Sequence, residues 1–290
     1  STLPEEKEVS LSILENVRKG SIGLDEGFDI KNMGRFLAIK ALMVSMEFDP
    51  NDTPFYYNTV TTKLEPVGQE IHSLNDRVGN WWINNANNRN SQFHKIFFSN
   101  NKLLKSYYES LTRICTKKYL DQFFKLIDDE LNYVNLIILS EYETFETEKS
   151  RYYDNVKYIN VLTNPIKEIH SYKIDYNNSK YNVSVGNLQF WPIELMGIEF
   201  KNNQIIKFPD EDIIISSRSE GSNVNYDNYY ITLNDRFINS IVSTDNPHIV
   251  YKIIGSKKIK KQKIINYNYN SNKLITSLKN NVRGNISDHY

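Results

Sequence analysis

FDIKNMGRFLAIKALMVSMEFDPNDTPFYYNTVTTKLEPVGQEIH, from Phe28 to His72, decides how the rest of the chain is read. Met33, Phe36, Leu37, Ile39, Ala41, Leu42 and Val44 predict a helix from about Asp29 to Ser45, apolar on most sides and therefore central to a core. An acidic loop carrying Asp49 and Asp52 follows it. Phe55–Tyr57 and Lys63–Val67 then read as a hairpin across TVTT, and the carboxylate of Glu70 lies just beyond the second strand.

That order of parts has a chemical use. In kinase-like phosphoryl transfer a loop Asp orients the accepting hydroxyl, and a carboxylate further along the chain holds magnesium. Asp49 and Glu70 are 21 residues apart, a spacing that fits, although any helix, loop and hairpin rich in acids would satisfy it.

The strings FDIKNMGRFLAIKAL, FYYN and KLEPVG carry more than spacing. They resemble the CotH-type kinase family, the atypical kinases first associated with bacterial spore coats. The likeness is to its long branch, with FDxxxMAxFLAIxxL, a loop with His and Asn, and RFYYNPxTxKLEPIGxD. The resemblance spans roughly residues 25–165. It implies transfer of the ATP γ-phosphate to Ser or Thr of a surface or coat protein, at the cell surface or outside the cell. Asp49 would orient the hydroxyl, and Asp52 and Glu70 would hold magnesium; no residue is assigned to ATP. Four positions depart from the pattern: Pro54 stands for the family's Arg, Asp52 for its loop Asn, Met46 near its His, and Glu70 for its metal-site Asp. Glu is longer than Asp by a methylene, and phosphoryl transfer depends on close positioning. Only 48 residues precede Asp49, and they read as helical, without a Gly-rich phosphate loop or a lysine-bearing strand. The expectation is a kinase-like C-lobe with a degenerate site, inactive as this chain. The competing reading is a non-catalytic structural or binding protein of the cell exterior on the same scaffold.

Composition sets outer limits. The chain has 290 residues, 40% hydrophobic and 24% charged, as in a globular protein of one large or two ordinary domains. Thirty-five basic residues balance thirty-five acidic ones, so no bulk charge draws it to nucleic acid or a membrane. Cys115 is the single cysteine, which excludes an internal disulfide and a cysteine-rich metal site. No apolar stretch approaches the ~20 residues of a bilayer-spanning helix. The opening STLPEEKE is acidic and polar, unlike a signal peptide. Its lack of Met points to a cut or processed end, with room upstream for an export signal or a further domain.

Val9, Leu11, Leu14 and Val17 predict a first helix over residues 5–19, stopped by Gly20. Three further helical patterns fill 91–139, the second with Ser99 as N-cap candidate, and another runs from about Glu146 to Leu162. Beyond Pro165 the period changes from 3.6 to 2, with Ile169, Tyr172, Ile174 and Tyr176 alternating, then Tyr181, Val183 and Val185 after the turn NNSK. The segments IELMGIEF, QIIKF, DIIISS, NYYITL, HIVYKIIG and KIINYNYN supply more strands. The predicted fold is α+β: a helical domain over 1–165 and an antiparallel, sandwich-like β-rich domain over 166–290.

Other chemistry is thin. His72, His94, His170, His248 and His289 form no pair at metal-ligand spacing, and no GxSxG occurs. Trp81 and Trp82 suit a stacking surface, but aromatic residues are more often core. The run KKIKKQK (257–263) suits phosphate contact, yet lysines on a solvated edge strand are the more common reason for such a run.

Overall fold

The computed structural model describes residues 4–45, 48, 53–68, 92–144, 148–177, 179–200, 204–218, 222–233 and 246–266. Helix α1 (Pro4–Lys19) has acidic Glu5 and Glu6 in its first turn and basic Arg18 and Lys19 in its last, matching the helix dipole. Gly20, at φ 72°, closes it: the Gly20 N–H bonds to the Val17 carbonyl and the Ser21 N–H to that of Asn16, a Schellman closure. The short α2 (Leu24–Gly27) leads to Asp29, whose carboxylate caps α3 (Ile30–Met43) by accepting from the Lys31 and Asn32 N–H groups at 2.9 Å.

The hairpin is antiparallel, β1 (Phe55–Asn58) against β2 (Lys63–Pro66), with Asn58 opposite Lys63. It is tied to the start of α3, because the Asp29 N–H bonds to the Leu64 carbonyl at 2.9 Å. Four helices occupy the region read as three: α4 (Gln92–Phe98), α5 (Asn101–Ile114), α6 (Lys117–Leu126) and α7 (Asp128–Glu141). The cap of α5 is Asn100, which accepts from the Leu103 N–H, while the Ser99 hydroxyl donates back to the Lys95 carbonyl. The third pattern breaks at Ile127, and α7 beyond it buries none of its residues. Helix α8 (Lys149–Thr163) ends the helical half. Among the described residues no helix is long and apolar enough to cross a membrane.

Strands then take over: β3 (Ile169–Asn177), β4 (Lys180–Asn187), β5 (Ile193–Glu199), β6 (Ile205–Ile206), β7 (Ile214–Ile215), β8 (Tyr226–Thr232), β9 (His248–Ile253), β10 (Lys260–Lys263) and β11 (Ile265–Asn266). The class is α+β, and the strands form antiparallel-rich sheets. One sheet has the order β10-β9-β5-β6, with β7 also on β5; the other has β11-β3-β4-β8, where β11 runs parallel to β3. Tyr181 of one sheet meets Phe200 beside the other, with ring centroids 5.8 Å apart.

One continuous apolar cluster runs from Val17 to Ile264 and joins the helical and strand halves. Trp191, 2% exposed, is the joint. Its ring lies 5.6 Å from that of Tyr107 and 5.1 Å from that of Tyr108, and its indole N–H donates to the Leu162 carbonyl. Cys115, at the end of α5, is fully buried, and burial pushes its thiol up to about 12. Helix α3 is as central as its sequence predicts: Met33, Leu37 and Ala38 are fully buried, and only Ile39 among its large apolar residues is exposed. Truncation of Leu37 to Ala is expected to cost about 2–5 kcal/mol in urea unfolding, as for core leucines. A loss below about 0.5 kcal/mol, the usual size of a surface change, would place the helix at the periphery.

Candidate functional site

The sequence-predicted site residues Asp49, Asp52 and Glu70 lie outside the described residues, as do Met46, His72, Trp81 and Trp82. The described residues of the helix and hairpin on either side in sequence pack closely together. Phe28 stacks edge-on against Phe55 of the hairpin and Phe97 of α4, with centroids 5.1 Å apart in both pairs. Phe48, just before the acidic loop, is 1% exposed and packs on Phe93 and Phe97. Pro54 accepts the Val67 N–H through its carbonyl at 3.0 Å, which closes the mouth of the hairpin. Among the described residues no cluster of three or more His, Cys, Asp or Glu side chains is placed to hold a metal ion.

The structure brings together a different set. A cleft of about 570 Å³ opens where the helical half meets the turn joining β9 to β10. Lys31 and Arg35 enter it from α3, Arg113 from α5, and Lys257 and Lys258 from the turn, against a single carboxylate, Glu109.

Local backbone chemistry sets this arrangement. Lys31 and Arg35 are four residues apart and share one helix face. Between them lies Gly34, where an added Cβ would fall 2.6 Å from the Ser106 carbonyl carbon. Helix α3 therefore approaches α5 backbone to backbone, and both cations come beside Ser106. On the other side, the Ser256 N–H bonds to the Ile253 carbonyl at 2.8 Å, with Gly255 in the third turn position at φ 77°, as in a type II turn. A Cβ on Gly255 would sit 2.6 Å from the Lys105 carbonyl oxygen, so the turn presses directly on α5. The Ser256 hydroxyl accepts from the Lys258 N–H and also bonds to Tyr108. Tyr108 donates to the Thr163 carbonyl at 2.8 Å, and burial holds its phenol above the ordinary value.

The run KKIKKQK divides in two. Lys260 and Lys261 lie on β10, an edge strand, but are paired rather than free in solvent: Lys260 with the buried Glu168, and Lys261 with Glu199 at 2.6 Å. Lys257 and Lys258 project into the cleft. Sequence reading flagged this run and missed Lys31, Arg35 and Arg113. The i, i+4 spacing of Lys31 and Arg35 on a largely apolar helix was the signal for the first two.

No family model matches the chain, and no curated protein or solved structure matches it.

Replacing Gly255 by Ala is expected to cost about 1–3 kcal/mol, because the new Cβ adds left-handed strain to a clash with helix backbone. Equilibrium urea unfolding measures it. A change within about 0.5 kcal/mol would show that the turn is not pressed against α5.

Proposed function

We propose that this chain is a kinase-type helical scaffold of the CotH kind with a β-sandwich-like appendage, and that it acts by holding a partner and not by transferring phosphate on its own. One observation carries the reading: the three resembling strings assemble into a single unit. FDIKNMGRFLAIKAL supplies the cap and body of α3, FYYN is β1, and KLEP is β2. The Asp29 N–H to Leu64 carbonyl bond and the Phe28–Phe55 contact lock helix to hairpin.

Where a scaffold of this kind is active, Asp49 would orient an acceptor hydroxyl, and Asp52 and Glu70 would hold magnesium beside ATP. The acceptor class would be Ser or Thr on a surface or coat protein. Phosphoryl transfer leaves the protein little to do except position groups and offset charge. Four departures around one site, Met46, Asp52, Pro54 and Glu70, bear on both tasks. They favour a partner-holding role over turnover.

Incubation of the purified chain with magnesium and γ-labelled ATP is expected to leave no label on the chain itself or on a generic Ser/Thr acceptor. Incorporation that disappears in Asp49→Ala or Glu70→Ala would overturn the non-catalytic reading and assign those carboxylates to the reaction.

A further inference from the structure

We infer that the cleft between α3, α5 and the β9–β10 turn is a binding site for a compact polyphosphate, an inference independent of the kinase-like reading. The chain as a whole is neutral, with thirty-five residues of each sign, so five cations facing one carboxylate in a single concavity is a local concentration of charge and not a reflection of composition. Clefts lined by one sign of charge focus the field and raise the local concentration of counter-ions.

Several lysines elsewhere are neutralised by the fold. Lys102, Lys117, Lys149, Lys157, Lys252 and Lys260 each reach a carboxylate. Among the described residues Lys31, Arg35, Arg113, Lys257 and Lys258 form no ion pair, and the Arg35 guanidinium donates only to the Asn32 amide oxygen, at 3.4 Å. Within one short run, then, Lys260 and Lys261 are neutralised by the fold and Lys257 and Lys258 are not.

The turn is held in place before any ligand arrives. Gly255 seats it on α5, and the bond from the Lys258 N–H to the Ser256 hydroxyl fixes its path. Preorganisation of this kind lowers the ordering cost of binding. Two of the neutral donors on the walls are already used: the Thr112 hydroxyl bonds to the Tyr108 and Glu109 carbonyls, and the Asn164 amide to the Asn160 carbonyl. What the cleft offers a ligand is charge. Its volume of about 570 Å³ falls in the small-molecule range. Five cations against Glu109 call for a ligand with several negative charges close together, and linked phosphates supply these at the highest density. The two arginines add forked donors suited to phosphate oxygens, while the three lysines act as point charges.

Calorimetric titration of the full chain with sodium tripolyphosphate, inositol hexakisphosphate and citrate, at low and at physiological salt, tests this. A saturable one-to-one heat is expected for at least one phosphate compound, weakening as salt rises. Tighter binding of tripolyphosphate would assign an inorganic chain, and tighter binding of inositol hexakisphosphate a phosphorylated polyol; either supports the site. The double variant Lys257→Glu/Lys258→Glu and the single variant Arg113→Glu should each weaken binding by ~10-fold or more, with circular dichroism unchanged. Lys118→Glu makes the same charge change outside the cleft and should alter affinity by less than about 2-fold. Equal weakening by Lys118→Glu, citrate binding as tightly as either phosphate compound, or no saturable binding of phosphate compounds at low salt would each overturn the proposal.

Discussion

Helix α5 is gripped from two sides by backbone approaches that only glycine permits. Gly34 of α3 lies where any side chain would meet Ser106, and Gly255 of the β9–β10 turn lies where any side chain would meet the Lys105 carbonyl. Interiors are packed too tightly to absorb a displaced helix without loss elsewhere, so these two contacts fix much of the molecule. The first sits on the helix whose Met33 and Leu37 are fully buried, as Leu103 and Tyr107 of α5 are. The second is one of the contacts that join the strand half to the helices. The cationic cleft lies between the two grips.

The junction of the halves is polar as well as apolar. Trp191 buries its ring against Tyr107 and Tyr108, while its indole N–H reaches the end of α8. Nearby, Glu168 is 2% exposed and accepts the Tyr251 hydroxyl at 2.8 Å as well as the Lys260 ammonium. A buried carboxylate is tolerable only when satisfied in this way, and removing one partner would strand a charge in the core. Glu168 thus ties the segment before β3 to two strands from near the end of the described chain.

Local signals were legible in the sequence. Gly20 as a helix stop, the span of α3, the FYYN–KLEP hairpin and the change to strands after Pro165 all rest on interactions between near neighbours. The errors were local too. Asn100 outcompeted Ser99 as cap because the Ser99 hydroxyl had a carbonyl within reach in the preceding turn. The third helical pattern was read straight through Ile127, yet the helix breaks there, and Leu136 and Ile137 of α7 are exposed. Nothing local could reveal that Lys31 and Arg35 would meet Lys257 and Lys258, since that depends on two glycine contacts with a third element. The pairing of β11 with β3 was hidden for the same reason, being a long-range contact with no periodicity of its own.

The position of Cys115 makes the molecule its own reporter. It is the single thiol, it is fully buried at the corner between α5 and α6, and burial pushes it up to about 12. Only a thiolate attacks disulfide and alkylating reagents, so the folded state shields this group both by access and by proton affinity. Labelling must therefore wait for the corner to open, and under fast reclosing its rate measures the free energy of that opening. An unmodified chain can in this way disclose how the helical core breathes, without a tag or an introduced probe.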